Sequence, residues 1–155
     1  MNSRLIRTLL GWLLVAALFA PGAGHAAADL PKTMGGYTIY FGVLPAGVLL
    51  LYRPDHGDAK MHGGPRFGDP HHLLVGLVDA ASGARVGDAE ITARITPAKG
   101  EPQERRLERM TVESGAAYGN YFALRRDHRY RIDLTIRRPG SAATVEASFD
   151  YTHRL

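Results

Sequence analysis

The chain is predicted to be all-β: an immunoglobulin-like antiparallel sandwich of seven to eight strands, preceded by a signal-peptide helix. Three observations carry this. Apolar residues alternate with polar ones over short segments, Gly/Pro/Asp/Ser turns separate those segments, and beyond the first 28 residues no apolar three-to-four-residue period is sustained over a dozen positions. A small closed barrel is the main alternative architecture.

The chain opens with Arg4 and Arg7, continues as an apolar run from Leu9 to Ala20, and then turns to Pro21, Gly22 and small residues through Ala28. That order reads as a secretory signal over residues 1–28, with cleavage after Ala26 or Ala28, leaving one domain over 29–155. The run falls short of the ~20 residues that cross a hydrocarbon core. The expected location is the periplasm. With no cysteine in the sequence, a lipid anchor and disulfide staples are both ruled out, and the domain must hold together by burial alone.

Tyr37-Thr38-Ile39-Tyr40-Phe41 is β-branched and aromatic, and a second apolar run, Val48 to Tyr52, follows the bend at Pro45 and Gly47. Arg53 to Pro70 is rich in Gly, Pro, Asp and His and has no apolar face, so it reads as a long loop, a class that is commonly functional or disordered. His72 to Asp79 is apolar on both alternating faces, as in a central strand. Ala80 to Gly83 turns the chain. Ile91, Ala93 and Ile95 then alternate with polar residues up to the break at Pro97 to Pro102. Arg105 to Val112 and Tyr118 to Leu124 pair as a hairpin about Glu113 to Ala116. Asp127 and His128 occupy the next turn. Tyr130, Ile132, Leu134 and Ile136 line one face of the following strand, and Val145, Ala147, Phe149 and Tyr151 line one face of the last.

Removing residues 1–28 takes away two arginines and no acids, so a formal charge of +4 becomes +2. Nucleic-acid binding needs a concentrated basic face. Here the pairs Arg105-Arg106, Arg125-Arg126 and Arg137-Arg138 fall at strand ends and turns, where solvated charge belongs. No nucleic-acid partner is expected.

The main anomaly is histidine. Six remain after residue 28, and His56, His62, His71 and His72 lie in one short stretch with Met61. Imidazole suits copper, zinc, nickel and iron, thioether sulfur favours Cu(I), and the mixture without thiolate suits copper in an oxidising compartment. The candidate ligands are Met61, His62, His71, His72 and Met110, with His153 able to join if its strand end shares their rim. Copper is the expected ion, iron or zinc the alternatives. Adjacent side chains on an extended chain point to opposite sides, so His71 and His72 are expected to face different ways, one toward the core or its edge and the other toward the loop. Met61 and His62 can share an ion only through a turn at Gly63-Gly64. His128 beside Asp127 reads as an ordinary turn residue. Serines fall in turns or on polar faces, zincin, nucleophile-elbow and phosphate-loop motifs are absent, and no enzymatic activity is expected.

From Met110 to Tyr121 (MTVESGAAYGNY), and again over Tyr130 to Ile136 (YRIDLTI), the sequence resembles periplasmic accessory proteins of bacterial ferrous-iron permeases. The resemblance implies an immunoglobulin-like sandwich, a homodimer, copper binding, a role in iron uptake and an inner-membrane metal permease or envelope complex as partner. In that family a methionine opens the first stretch and a histidine precedes the Tyr-Gly pair. Met110 matches the former, while Ala117 stands in place of the latter. The family's His-x-Glu strand motif is matched by His72, with Leu74 in place of the acid. Asp79 to Ala89 also looks like the strand-turn-strand of small periplasmic sandwich domains in copper and cytochrome-oxidase assembly. A different class is a non-catalytic interaction domain that uses a sheet edge or the Arg53–Pro70 loop without metal.

Overall fold

A computed structural model describes residues 31–48, 71–112 and 115–154. The expected signal segment, the Arg53–Pro70 loop, and with them Met61, His62 and His56 lie outside the described residues. Among the described residues there are eight antiparallel strands: β1 (Lys32–Met34), β2 (Tyr37–Pro45), β3 (His71–Asp79), β4 (Glu90–Pro97), β5 (Gln103–Val112), β6 (Gly115–Phe122), β7 (Arg129–Arg137) and β8 (Thr144–Thr152). They are hydrogen-bonded in the order β1-β2-β3-β6-β5-β4-β7-β8.

β5 makes two sheets out of this order. Its first half, Gln103 to Leu107, pairs with β4, and its second half, Glu108 to Val112, pairs with β6. Sheet A is therefore β1-β2-β3-β6 with the end of β5, and sheet B is the start of β5 with β4-β7-β8. Their inner faces meet through Leu73, Val75 and Leu77 of β3 and the buried isoleucines and leucines of β4 and β7. Burying each such side chain stabilises the fold by roughly 1.5–3 kcal/mol, which is how a chain without disulfides holds together. At the far edge β1 approaches β8. The Lys32 ammonium donates to the Ser148 carbonyl and sits 4.7 Å from the centre of the Phe149 ring, so the sandwich is nearly closed.

β1 was not expected from the sequence, because its three residues are all exposed and show no alternation. Its signal is the turn. Gly35 and Gly36 have φ of 57° and 81°, and with Met34 opposite Tyr37 they make the two-residue hairpin that Gly-Gly favours. A Cβ on Gly35 would lie 2.3 Å from a Val145 methyl carbon, so this turn also packs on β8.

Of the second apolar run, Val48 to Tyr52, only Val48 lies within the described residues. Residues 46–48 are helical. Pro45 ends β2 with a φ that suits the first turn of a helix. The other expected strands are present, with β2 extended to Pro45 and β6 starting at Gly115 inside the expected turn. Tyr118 anchors the connection from β3 to β4. Its buried hydroxyl donates to the Val86 carbonyl and accepts from the Ala89 N–H, both at 3.0 Å.

Candidate metal centre

The outer face of sheet A carries the side chains that alternate away from the core. On β3 these are His72, Leu74 and Gly76, and on β6 they are Ala117, Gly119 and Tyr121. On β5 they are Glu108 and Met110. Cross-strand pairing fixes their neighbours: His72 stands opposite Tyr121, Leu74 opposite Gly119, Glu108 opposite Gly119, and Met110 opposite Ala117. Residues paired this way share a face, so strand register alone brings His72 and Met110 to the same side, separated by β6.

Gly119 shapes this site. A Cβ there would lie 2.2 Å from the His72 ring carbon Cε1 and 2.9 Å from the Leu73 carbonyl oxygen. The imidazole is thus laid across β6 in the space a missing side chain leaves, toward the strand that bears Met110. Its ring meets Tyr121 edge-on, with centroids 4.8 Å apart. Although both face away from the core, His72 is 1% exposed and Met110 is 6% exposed. Burial in an apolar setting strengthens any charge interaction made there.

An imidazole and a thioether, seated over small residues in a dry setting, fit copper by donor chemistry. Glu108 is exposed on the same face, beside Gly119 in register. Among the described residues no group of three or more His, Asp or Glu side chains converges on one point.

The adjacent histidines separate as strand alternation requires. His71 points inward at the mouth of the core, against His153, with ring centroids 4.1 Å apart at 78°. His71 and His72 therefore do not share an ion, and His153 joins His71 and not Met110. Tyr151 is a polar partner that strand alternation alone does not mark. Its hydroxyl is 3.1 Å from His153 Nδ1. The last strand's inward row of Phe149 and Tyr151, extended by two residues, was the signal that could have placed His153. Burial, and then the His153 charge, hold the His71 imidazole below the usual histidine range. Burial, and then Arg126, do the same to His153, against a smaller upward pull from Asp127. His128 is the turn residue it was expected to be, with Nδ1 2.8 Å from the Arg126 carbonyl. Met61 and His62 lie outside the described residues.

Arg106 of the first arginine pair and both members of the third make ion pairs on and beside sheet B, as does Arg94. Arg106 and Arg137 both reach Glu90, at 3.2 and 3.1 Å, Arg94 reaches Glu104 at 3.2 Å, and Arg138 reaches Asp88 at 2.6 Å.

No family model matches the sequence, nor does any curated relative. Solved structures do match in fold. A copper-bound glutamate-to-glutamine variant of FetP from uropathogenic Escherichia coli strain F11 superposes with a TM-score of 0.63 at 16% identity, covering 81% of this chain and 95% of that one. Copper-reconstituted P19 from Campylobacter jejuni gives 0.57 at 14% identity, over 79% of this chain and 92% of that one. A DUF4426 family protein from Pseudomonas aeruginosa gives 0.60 at 13% identity, over 81% and 97%. The sandwich is thus the fold of known copper-bearing proteins.

Proposed function

We propose that this chain is a periplasmic transition-metal-binding protein with copper as its cargo, held on the outer face of sheet A at His72 and Met110. The single observation behind this is the seat of the His72 imidazole over Gly119, on the face that also presents Met110, two residues along β5 from the Glu108 that stands opposite Gly119. The four positions that align with the permease-accessory family, His72, Leu74, Met110 and Ala117, fall on this one face. Two keep donors there and two are apolar. The copper carried by structures of the same fold supports the choice of metal, and the order of residues 1–28 supports the compartment.

In this reading the protein is a carrier or an accessory to an inner-membrane metal permease linked to iron uptake, and it is not a catalyst. Cu(I) titration of the mature chain against a chromophoric chelator tests it. Wild type is expected to take copper stoichiometrically, and His72→Ala to weaken it by at least about tenfold, the scale seen when even an outer-shell partner is lost. Unchanged affinity in His72→Ala would reject the site.

One observation favours a second reading, in which this face docks on a membrane transporter or envelope complex without metal. Tyr40 and Leu44, on the same face of β2, are 48% and 36% exposed. Copper-independent partner binding that survives His72→Ala and is lost in Tyr40→Ser would support it.

A further inference from the structure

Where β3 begins and β8 ends, two histidines meet inside the protein. His153 continues the inward row of Phe149 and Tyr151 and is fully buried, while His71 opens the core side of β3 at 9% exposure. The backbone fixes His153 from both sides: its N–H donates to the His128 carbonyl at 3.0 Å, and its own carbonyl accepts from the Asp127 N–H at 2.7 Å. The placement of its ring is therefore set by a hydrogen-bonded strand end and not by a freely moving tail.

Two nitrogens in this pair, His71 Nδ1 and His153 Nε2, are buried without a hydrogen-bond partner. Folded proteins keep few such groups, and each calls for a physical reason. Tyr151 supplies part of one. When its oxygen accepts the Nδ1–H of His153, the remaining nitrogen, Nε2, carries a free lone pair, which is how an outer partner sets the tautomer of a metal-ligating histidine. A histidine ligates a metal through the lone pair of its uncharged imidazole, and these two unpartnered nitrogens are the ones free to do so.

We propose that His71 and His153 form a second, internal metal site that takes monovalent copper between two neutral imidazoles, with Tyr151 orienting one of them. The choice of copper rests on the reading of the outer face, but the ligands are separate from it. The low donor number selects the ion. Zinc completes a four-ligand shell in structural sites, whereas Cu(I) accepts two ligands. A divalent ion between neutral ligands would also bring twice the charge into a buried setting, where uncompensated charge is expensive. The rings now meet edge-to-face.

The experiment uses the mature chain and Cu(I) alone as the probe. Wild type is expected to bind two equivalents, His72→Ala one, and His72→Ala combined with His153→Phe none. X-ray absorption of the copper-loaded His72→Ala protein is expected to show nitrogen ligands and no sulfur. Phenylalanine keeps a buried ring at 153, and circular dichroism of the apo variants checks the fold. Should His153→Phe fail to fold, Tyr151→Phe in the His72→Ala background serves instead, with a loss of affinity of about 10–100-fold expected. Cu(I) stoichiometry unchanged by His153→Phe, or affinity unchanged by Tyr151→Phe, overturns the internal site. One equivalent in wild type that survives His72→Ala and is lost in His153→Phe supports the internal site while rejecting the outer one.

Discussion

The outer faces of the two sheets are built from the same alternation and carry opposite chemistry. On sheet B, Glu90 stands between Arg106 and Arg137, Arg94 meets Glu104, and Arg131 meets Asp133 at 2.8 Å, all with side chains substantially exposed to water. On sheet A the equivalent rows hold Leu74, Gly76, Ala117, Gly119 and Tyr121, with Glu108 exposed at β5, and the soft donors among them are His72 and Met110, both shut away from solvent. The charged face is complete in water, since each of these acids already has its arginine. The apolar face has soft donors over a floor of small residues, which is the composition of a ligand seat. A two-sheet fold can thus assign charged, solvated chemistry to one outer surface and an apolar floor with soft donors to the other.

The largest test of this contrast is to fill the floor of sheet A. Gly119→Val drives a side chain into both the His72 ring and the Leu73 carbonyl, and the backbone contact cannot move aside. Overpacking of this kind costs typically 1–3 kcal/mol. Thr135→Val on the exposed face of sheet B should stay within ±0.5 kcal/mol. Urea unfolding of both variants measures the difference, and equal effects would mean that the floor has no special fit. Adding His72→Ala to Gly119→Val should recover part of the loss, because one of the two clashes disappears.

A smaller change sharpens the comparison by separating packing from ligation. Met110→Leu conserves volume and should cost less than about 1.5 kcal/mol in stability. It removes the thioether, so Cu(I) affinity should fall by about tenfold while Arg94→Leu on sheet B leaves it unchanged. Chelator competition distinguishes the two, and a copper affinity indifferent to Met110→Leu would leave His72 without its proposed partner.

The smallest effect belongs to sheet B and to acid. A hydrogen bond from Arg137 and the charge of Arg106 hold the Glu90 carboxyl below its usual value, and Arg138 does the same to Asp88. A carboxylate lowered in the folded state contributes stability that is fully present above its ordinary pKa of about 4 and is lost as pH falls through the lower, folded value. The unfolding midpoint should therefore decline modestly below about pH 4. Glu90→Gln should flatten that decline, and so should 1 M salt, which shortens screening to about 3 Å. An acid dependence unaffected by either would place the titrating groups elsewhere.

How much of this was legible depended on the range of the interaction. Strands β4, β7 and β8 could be read because Ile91 to Ile95, Tyr130 to Ile136 and Val145 to Tyr151 alternate strictly, and alternation is a property of consecutive residues. The three residues of β1 gave no such pattern and are held by the turn at Gly35-Gly36 and by contact with β8. Near the candidate site, the sequence already required His71 and His72 to diverge. It gave no means of telling that Gly119, 47 positions beyond His72, would clear the space for that ring.

The amino-acid sequence by itself determined the alternating strands, the turns between them, the absence of disulfide staples and the supply of imidazole and thioether groups, all of which follow from local backbone preference and composition. Only the tertiary structure decided which donors share a face or an end of the sandwich. Pairing β3 with β6 and β6 with β5 put His72 and Met110 on one outer face, and the approach of the ends of β3 and β8 put His153 against His71. Strand order and register are set by long-range packing of two apolar faces, and residues distant in the chain become neighbours only when that packing is satisfied.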